Sequence, residues 1–215
     1  MIQRTMIAVL LAFSGSSLAF GQTITEPHPA VVKVTGKVIW DANTEPAGSG
    51  VWIDATHVLT ALHVVSEMET VQVEWNGEKI PATIEAVLPV CDWALLQTNE
   101  PRRTPPIELR TEPLAEGDAV VGYGWGPVEV DSQFQAQPRR FARIVGKHRD
   151  GRIYGKAMPR LGDSGGPVFD ADGRLVGVIN SKIEPGGNRP GYWFGCGQSR
   201  LYGFIAEKRG FRWAK

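Results

Sequence analysis

A chain of 215 residues that is 42% hydrophobic can bury a real core in one or two compact domains, which excludes a disordered tail. Its 23 basic residues are matched by 23 acidic ones, so no net field draws it to a phosphate backbone or an anionic membrane surface. Nucleic acid is therefore not an expected partner.

The chain opens on MIQRTMIAVLLAFSGSSLAFGQ, with basic Arg4 ahead of an apolar run from Met6 to Phe13 and then small residues. That is the layout of a secretory signal peptide over residues 1–21, with cleavage after Ala19 or Gly21. The alternative is a buried N-terminal helix or strand. The apolar run is too short to span a bilayer and no later segment reads as a span, so a secreted or periplasmic protein without a membrane anchor is expected.

Short runs rich in Val, Ile, Thr and Trp follow, punctuated by Gly, Pro, Asn and Asp: AVVKVTGKVIW, GSGVWIDATHVLTA, TVQVEWNGEKI, PATIEAVL and DWALLQT. Residues 99–113, NEPRRTPPIELRTEP, combine proline with charge and read as an extended connection. A second strand set comes after it: DAVVGYGWG, QPRRFARIVGKHRD, GRIYGKAM, PVFDADGRLVGVINSK and GYWFGCG, with DADGRL as a hairpin turn. Only SRLYGFIAEKRG has helical spacing, with Gly210 as its stop. No internal repeat or heptad is visible. The expectation is an all-β protein of two barrel-like halves, residues 22–110 and 111–215, with one short C-terminal helix.

Export permits a disulfide between Cys91 and Cys196, although two reduced, buried cysteines remain open as the alternative. No His/Cys cluster at ligand spacing accompanies them, so neither a metal nor a cofactor is expected.

The stretch LGDSGGPV, residues 161–168, sets an acid and a serine among glycines. A serine becomes a nucleophile when a base takes its proton, a third group orients that base, and oriented N–H groups hold the developing oxyanion. The small neighbours of Ser164 would let the N–H groups of Gly162 and Ser164 converge. Among His28, His57, His63 and His148, the best candidate base is His63, in HVLTALHVV, where an apolar strand ends. Asp92, the lone acid in PVCDWALLQT, is the candidate orienter; taken alone it reads better as a strand-entry turn residue capping a neighbouring N–H.

In that order, LTALHVV, DWALL and GDSGGPV resemble the His, Asp and Ser blocks of the trypsin-like serine peptidase family. GSGVWIDATHVLTALHVV is similar to the block entering the catalytic histidine, and PLAEGDAVVGYGWG to the start of the second barrel in compact HtrA-like and glutamyl-endopeptidase-like bacterial members. GRLVGVINSK and NRPGYWFG resemble the strands that wall the specificity pocket. The resemblance implies two six-stranded antiparallel β-barrels with the active site in the cleft between them. It makes Ser164 the nucleophile, His63 the base, Asp92 its orienter, and the Gly162 and Ser164 N–H groups the oxyanion hole. It also places the pocket floor near Met158 and the walls near Lys182 and Gly191. An exported serine endopeptidase acting on polypeptides without a cofactor is expected; a non-catalytic binding protein on the same scaffold and an esterase are the alternatives. The oligomeric state is not set by the sequence.

Several positions depart from the family pattern. Leu62 stands where a smaller or polar residue usually precedes the histidine. No basic residue followed by IVGG supplies an activating N-terminus, which leaves Asp163 either to pair with a residue such as Arg160 or to fix its turn. Met158 is not the acid that a preference for Lys or Arg requires; an apolar or acidic P1 residue, the latter drawn by Lys182, is expected instead. No peptide-binding PDZ domain is expected after the peptidase region.

Overall fold

The computed structural model describes residues 28–38, 46–104, 107–125, 127–130, 133–136, 139–142, 144–147, 153–155, 161–180, 192–207 and 210–212. The leader-like residues 1–21 lie outside them.

The first half is β1 (Val31–Val38), β2 (Ala47–Trp52), β3 (His57–Ala61), the single helical turn α1 (Leu62–Val65), β4 (Met68–Trp75), β5 (Glu78–Leu88), a 3-10 turn at Pro89–Cys91, and β6 (Trp93–Thr98). Neighbours run β5-β4-β1-β2-β3-β6, and β5 also pairs with β6, so the sheet closes into a six-stranded antiparallel barrel. Among the described residues, closure leaves no open sheet edge in this half. One strand serves both sides of the seam: β5 pairs with β4 through Glu78–Ala82 and with β6 through Ala82–Leu88, with a register shift between Ile84 and Ala86 that bends it. The β4–β5 turn is Asn76-Gly77, both at positive φ (50° and 79°), as a tight hairpin requires. Val32, Val34, Trp52, Val58, Leu59, Leu95 and Leu96 are fully buried, the β-branched and bulky side chains that a pleated, enclosed surface favours.

The second half contains β7 (Val120–Gly124), β8 (Pro127–Val130), β9 (Gln133–Ala136), β10 (Arg139–Ala142), β11 (Ile144–Lys147), β12 (Ile153–Gly155), β13 (Pro167–Asp170), β14 (Leu175–Val178), β15 (Tyr192–Gly195), helix α2 (Gln198–Ile205) and β16 (Phe211–Arg212). Among the described residues these strands form a four-stranded sheet β10-β7-β13-β14, a three-stranded sheet β11-β12-β15 and the hairpin β8-β9. Gly177 of β14 lies hard against the Phe194 carbonyl of β15, so the first two sheets abut.

Two local expectations are refined. The helix stops at Ile205, before the expected Gly210. Gly210 instead lets the chain pass between the Phe204 ring and the Val87 carbonyl, where a Cβ would collide, and β16 then pairs with β5. The described part of the proline-rich connection is tied down: Leu109 bridges Leu175, and Arg110 pairs with Asp118 and with the buried Asp170. Asp170 also organises the β13–β14 turn, accepting the N–H groups of Asp172 and Arg174 and pairing with the Arg174 guanidinium.

Residues 28–30 strap the barrel to the second half. The His28 ring stacks on Phe169 at 4.6 Å, its Nδ1 accepts the Ala30 N–H, and the Trp75 indole N–H donates to the Pro29 carbonyl. Burial holds the His28 pKa below its ordinary 6.5. A folded-state pKa below the unfolded value means that stability is fully present above pH 6.5 and declines as pH falls through the folded value. Thermal unfolding followed from about pH 8 to about pH 5 is expected to show a Tm decline that is shallower in His28→Phe; equal slopes would contradict this role.

Candidate active site

Strand register brings the first two candidate residues together. β3 pairs with β6 up to Ala61↔Trp93, so Leu62 and His63 leave β3 just where Asp92 enters β6. The Leu62 N–H donates to the Asp92 carbonyl at 2.9 Å, ending the ladder and starting the turn α1 that carries His63. Asp92 sits at φ 55°, a left-handed conformation that Asp tolerates better than most residues. Its carboxylate accepts the His63 backbone N–H at Oδ1 (2.9 Å) and faces His63 Nδ1 at Oδ2 (2.6 Å). A carboxylate can only accept, so the ring proton lies on Nδ1 and Nε2 is left as an acceptor. The His63 side chain is 45% exposed and can meet a substrate; that of Asp92 is 30% exposed.

Ser164 lies on the turn before β13. Gly162 (φ 91°) and Gly165 (φ 83°) take conformations that side chains rarely adopt. Gly165 N–H donates to the Ile179 carbonyl at 2.6 Å and Ile179 N–H to the Gly166 carbonyl at 2.8 Å, pinning the turn to the end of β14. Gly166 N–H donates to the Asp163 carbonyl at 3.0 Å, so the Ser164 N–H of that trans peptide points the opposite way. Gly48 marks where the two blocks meet: a Cβ there would press on Val64, next to His63, and on the Ser164 carbonyl. Among the described residues no hydrogen bond joins Ser164 Oγ to His63, a contact that often tightens only when substrate is bound.

The other histidines do different work. His57 is buried, with Nδ1 2.8 Å from Asp54 and Nε2 3.0 Å from Glu85. Burial would raise the Asp54 pKa, but the Thr56 N–H and the His57 contacts outweigh it and hold the carboxyl below its usual range. His28 belongs to the strap, and His148 lies outside the described residues, as do Met158, Lys182, Gly191 and Arg160. Asp163 is fully buried, its carboxylate packed toward Gly124 on β7. Cys91 and Cys196 come together with Cα atoms 5.6 Å apart and their sulfurs in contact, a separation that suits a disulfide. Among the described residues no group of three or more His, Cys, Asp or Glu could hold a metal ion, and no helix is long and apolar enough to cross a membrane.

Two residues that sequence reasoning passed over sit against this site. Asn180, buried just beyond β14, donates from Nδ2 to the Cys91 carbonyl, the residue before Asp92. Ser49, fully buried on β2, binds the turn that carries Ser164. The only trace of Ser49 in the sequence is a small polar residue between Gly48 and Gly50, in a strand where bulky residues would be expected.

Residues 48–178 match the trypsin-like peptidase domain. The chain is 27% identical to the periplasmic pH-dependent serine endoprotease DegQ of Escherichia coli, over 90% of this chain and 44% of that protein. It is 30% identical to serine protease Rv3671c of Mycobacterium tuberculosis, over 76% of this chain and 43% of that one. The chain thus spans between about a quarter and a half of the length of the curated relatives it matches. The crystal structure of the active form of the Rv3671c protease from M. tuberculosis superposes with a TM-score of 0.65 at 24% identity, covering 87% of this chain and 84% of that one. The serine endoprotease from Yersinia pestis gives 0.66 at 24%, covering 84% and 62%. At these identities the structures speak for a shared fold.

Two expectations follow from the packing. A Cβ on Gly165 would overlap the Ser49 carbonyl and the Thr60 hydroxyl, on a backbone already at positive φ. Gly165→Ala is therefore expected to lose about 2 kcal/mol or more in urea unfolding, and a smaller loss would mean that the turn is looser than described. A thiol titration of the unfolded, unreduced protein is expected to find no free thiol; two would show that Cys91 and Cys196 stay reduced.

Proposed function

The chain belongs to the trypsin-like peptidase family, and from that premise we propose that it is an exported serine endopeptidase working through Ser164, His63 and Asp92. The observation that carries this reading is the 2.6 Å contact between His63 Nδ1 and Asp92, which leaves Nε2 as the available base. In the proposed reaction Ser164 Oγ attacks the scissile carbonyl carbon and its proton passes to His63 Nε2. Asp92 holds the imidazole tautomer and stabilises the imidazolium without taking its proton. The negative oxygen of the tetrahedral intermediate is received by the N–H groups of Gly162 and Ser164, each worth about 3 to 4 kcal/mol in comparable sites. Collapse breaks the C–N bond, His63 returns the proton to the leaving amine, and an acyl-serine remains. A water, deprotonated by His63, then attacks that ester and releases the acid and free Ser164.

The finer elements of the proposal rest on the same family. Residues 111–215 would complete a second six-stranded barrel facing the first across the cleft. The leader over residues 1–21 would direct the protein to the periplasm or beyond, where Cys91 and Cys196 would be joined. Met158, Lys182 and Gly191 would shape a pocket for an apolar or acidic P1 residue.

The mature protein is expected to react with a fluorophosphonate probe, with labelling lost in both Ser164→Ala and His63→Ala. Asp92→Asn, which leaves the shape of the site but favours the wrong tautomer, is expected to lower kcat on a peptide substrate by on the order of 10⁴-fold. No labelling of the unaltered chain, or labelling that survives Ser164→Ala, would overturn the reading.

A further inference from the structure

We propose that Ser49 is a positioning residue for the nucleophile turn, holding from the first barrel the two carbonyls that flank Asp163. The proposal rests on the peptidase reading above and extends it to a residue outside the triad. Ser49 is fully buried. Its hydroxyl donates to the Gly162 carbonyl at 2.7 Å and accepts the Trp125 N–H at 2.7 Å. Its backbone N–H donates to the Ser164 carbonyl at 2.7 Å, and its own carbonyl accepts the Thr60 hydroxyl at 2.7 Å. The direction of each bond is forced, because an amide N–H can only donate and a carbonyl oxygen can only accept. The single hydroxyl proton of Ser49 must therefore point at Gly162.

Peptide planarity turns these bonds into an orientation. The plane between Gly162 and Asp163 is fixed by the Ser49 hydroxyl, and the plane between Ser164 and Gly165 by the Ser49 N–H. The plane between them is fixed by Gly166 through the Asp163 carbonyl, which aims the Ser164 N–H. What remains is rotation about Gly162, a glycine at φ 91° with no Cβ to favour one setting. Without the Ser49 hydroxyl, the Gly162 carbonyl and the Trp125 N–H both lose their partner, and the peptide beside the first oxyanion donor loses its anchor.

Such a defect acts on the oxyanion, which develops only as the carbonyl is attacked, so the loss should fall on kcat and spare KM. The test is Ser49→Ala, with kcat and KM measured on a peptide substrate and normalised to folded protein. The low-field proton signal of His63 Nδ1 is followed in the same samples. Expected are a kcat lower by about 10- to 100-fold, a KM within about 2-fold, and an unmoved His63 signal. Ser49→Cys, which puts a weaker donor in the same place, is expected to fall between, and it carries the test if Ser49→Ala does not fold. An active wild type with unchanged kcat in both variants, or a loss that resides in KM or shifts the His63 signal, overturns the positioning role alone. A wild type with no turnover and no labelling at Ser164 overturns the peptidase reading, and this inference with it.

Discussion

The site depends first on the pairing of Ala61 with Trp93. In an antiparallel pair each residue has one opposite number, so this pairing decides that the residue following β3 meets the residue preceding β6. A slip by one position would turn every side chain of one strand to the other face and carry Asp92 away from His63. The register is guarded by what surrounds it. All five residues of β3 are buried, as are four consecutive residues at the start of β6, so a shifted alignment would have to repack side chains on both faces of the pair. The places of His63 and Asp92 are therefore products of barrel packing, each one residue or two beyond the last paired position.

The third residue arrives from the other half of the chain, and the contacts that place it are mostly polar and at least partly buried. Ser49 reaches to Gly162 and Ser164, Gly165 and Gly166 exchange bonds with Ile179, and Asn180 reaches back to Cys91. Apolar surfaces would hold the halves together, but they slide at little cost, whereas a buried N–H or carbonyl that loses its partner costs roughly 1 to 3 kcal/mol. A polar junction thus gives up some adhesive strength for definition of distance and angle. Gly48 and Gly165 serve the same end by allowing backbone to approach backbone, and a side chain at either would force the junction apart.

The residues of the candidate site could be picked out because each sits in a local pattern. His63, Asp92 and Ser164 each sit in a short run whose composition reports a strand end or a tight turn, and the strands around them follow from β-branched residues between turn formers. The closed first barrel was legible in outline for the same reason. What the sequence hid was long-range. Nothing near Ser49 reports that its hydroxyl bonds Gly162, more than a hundred residues away, and nothing near Gly210 reports that the chain must squeeze past Phe204 to return to β5. The helix was overestimated because nothing in SRLYGFIAEKRG between Ile205 and Gly210 breaks a helix, whereas the helix ends at Ile205 and Phe211–Arg212 pair with β5.

Asp92 shows how a partly exposed acid can still hold a neighbouring histidine in one setting. Its side chain is 30% open to solvent, so charge pairing alone would be weakened by screening. Its position is set by the backbone instead: its N–H donates to the Pro89 carbonyl, its carbonyl accepts the Leu62 N–H, and the preceding Cys91 carbonyl is taken by Asn180. The sulfur contact of Cys91 with Cys196 adds a further tie to the second half. Both oxygens of the carboxylate then turn to one residue, one to the His63 backbone and one to its ring, so the same acid fixes where the histidine sits and which way its imidazole faces. With the backbone of His63 fixed by one oxygen, the imidazole cannot swing without breaking its bond to the other, and the direction of Nε2 follows from the fold of the barrel.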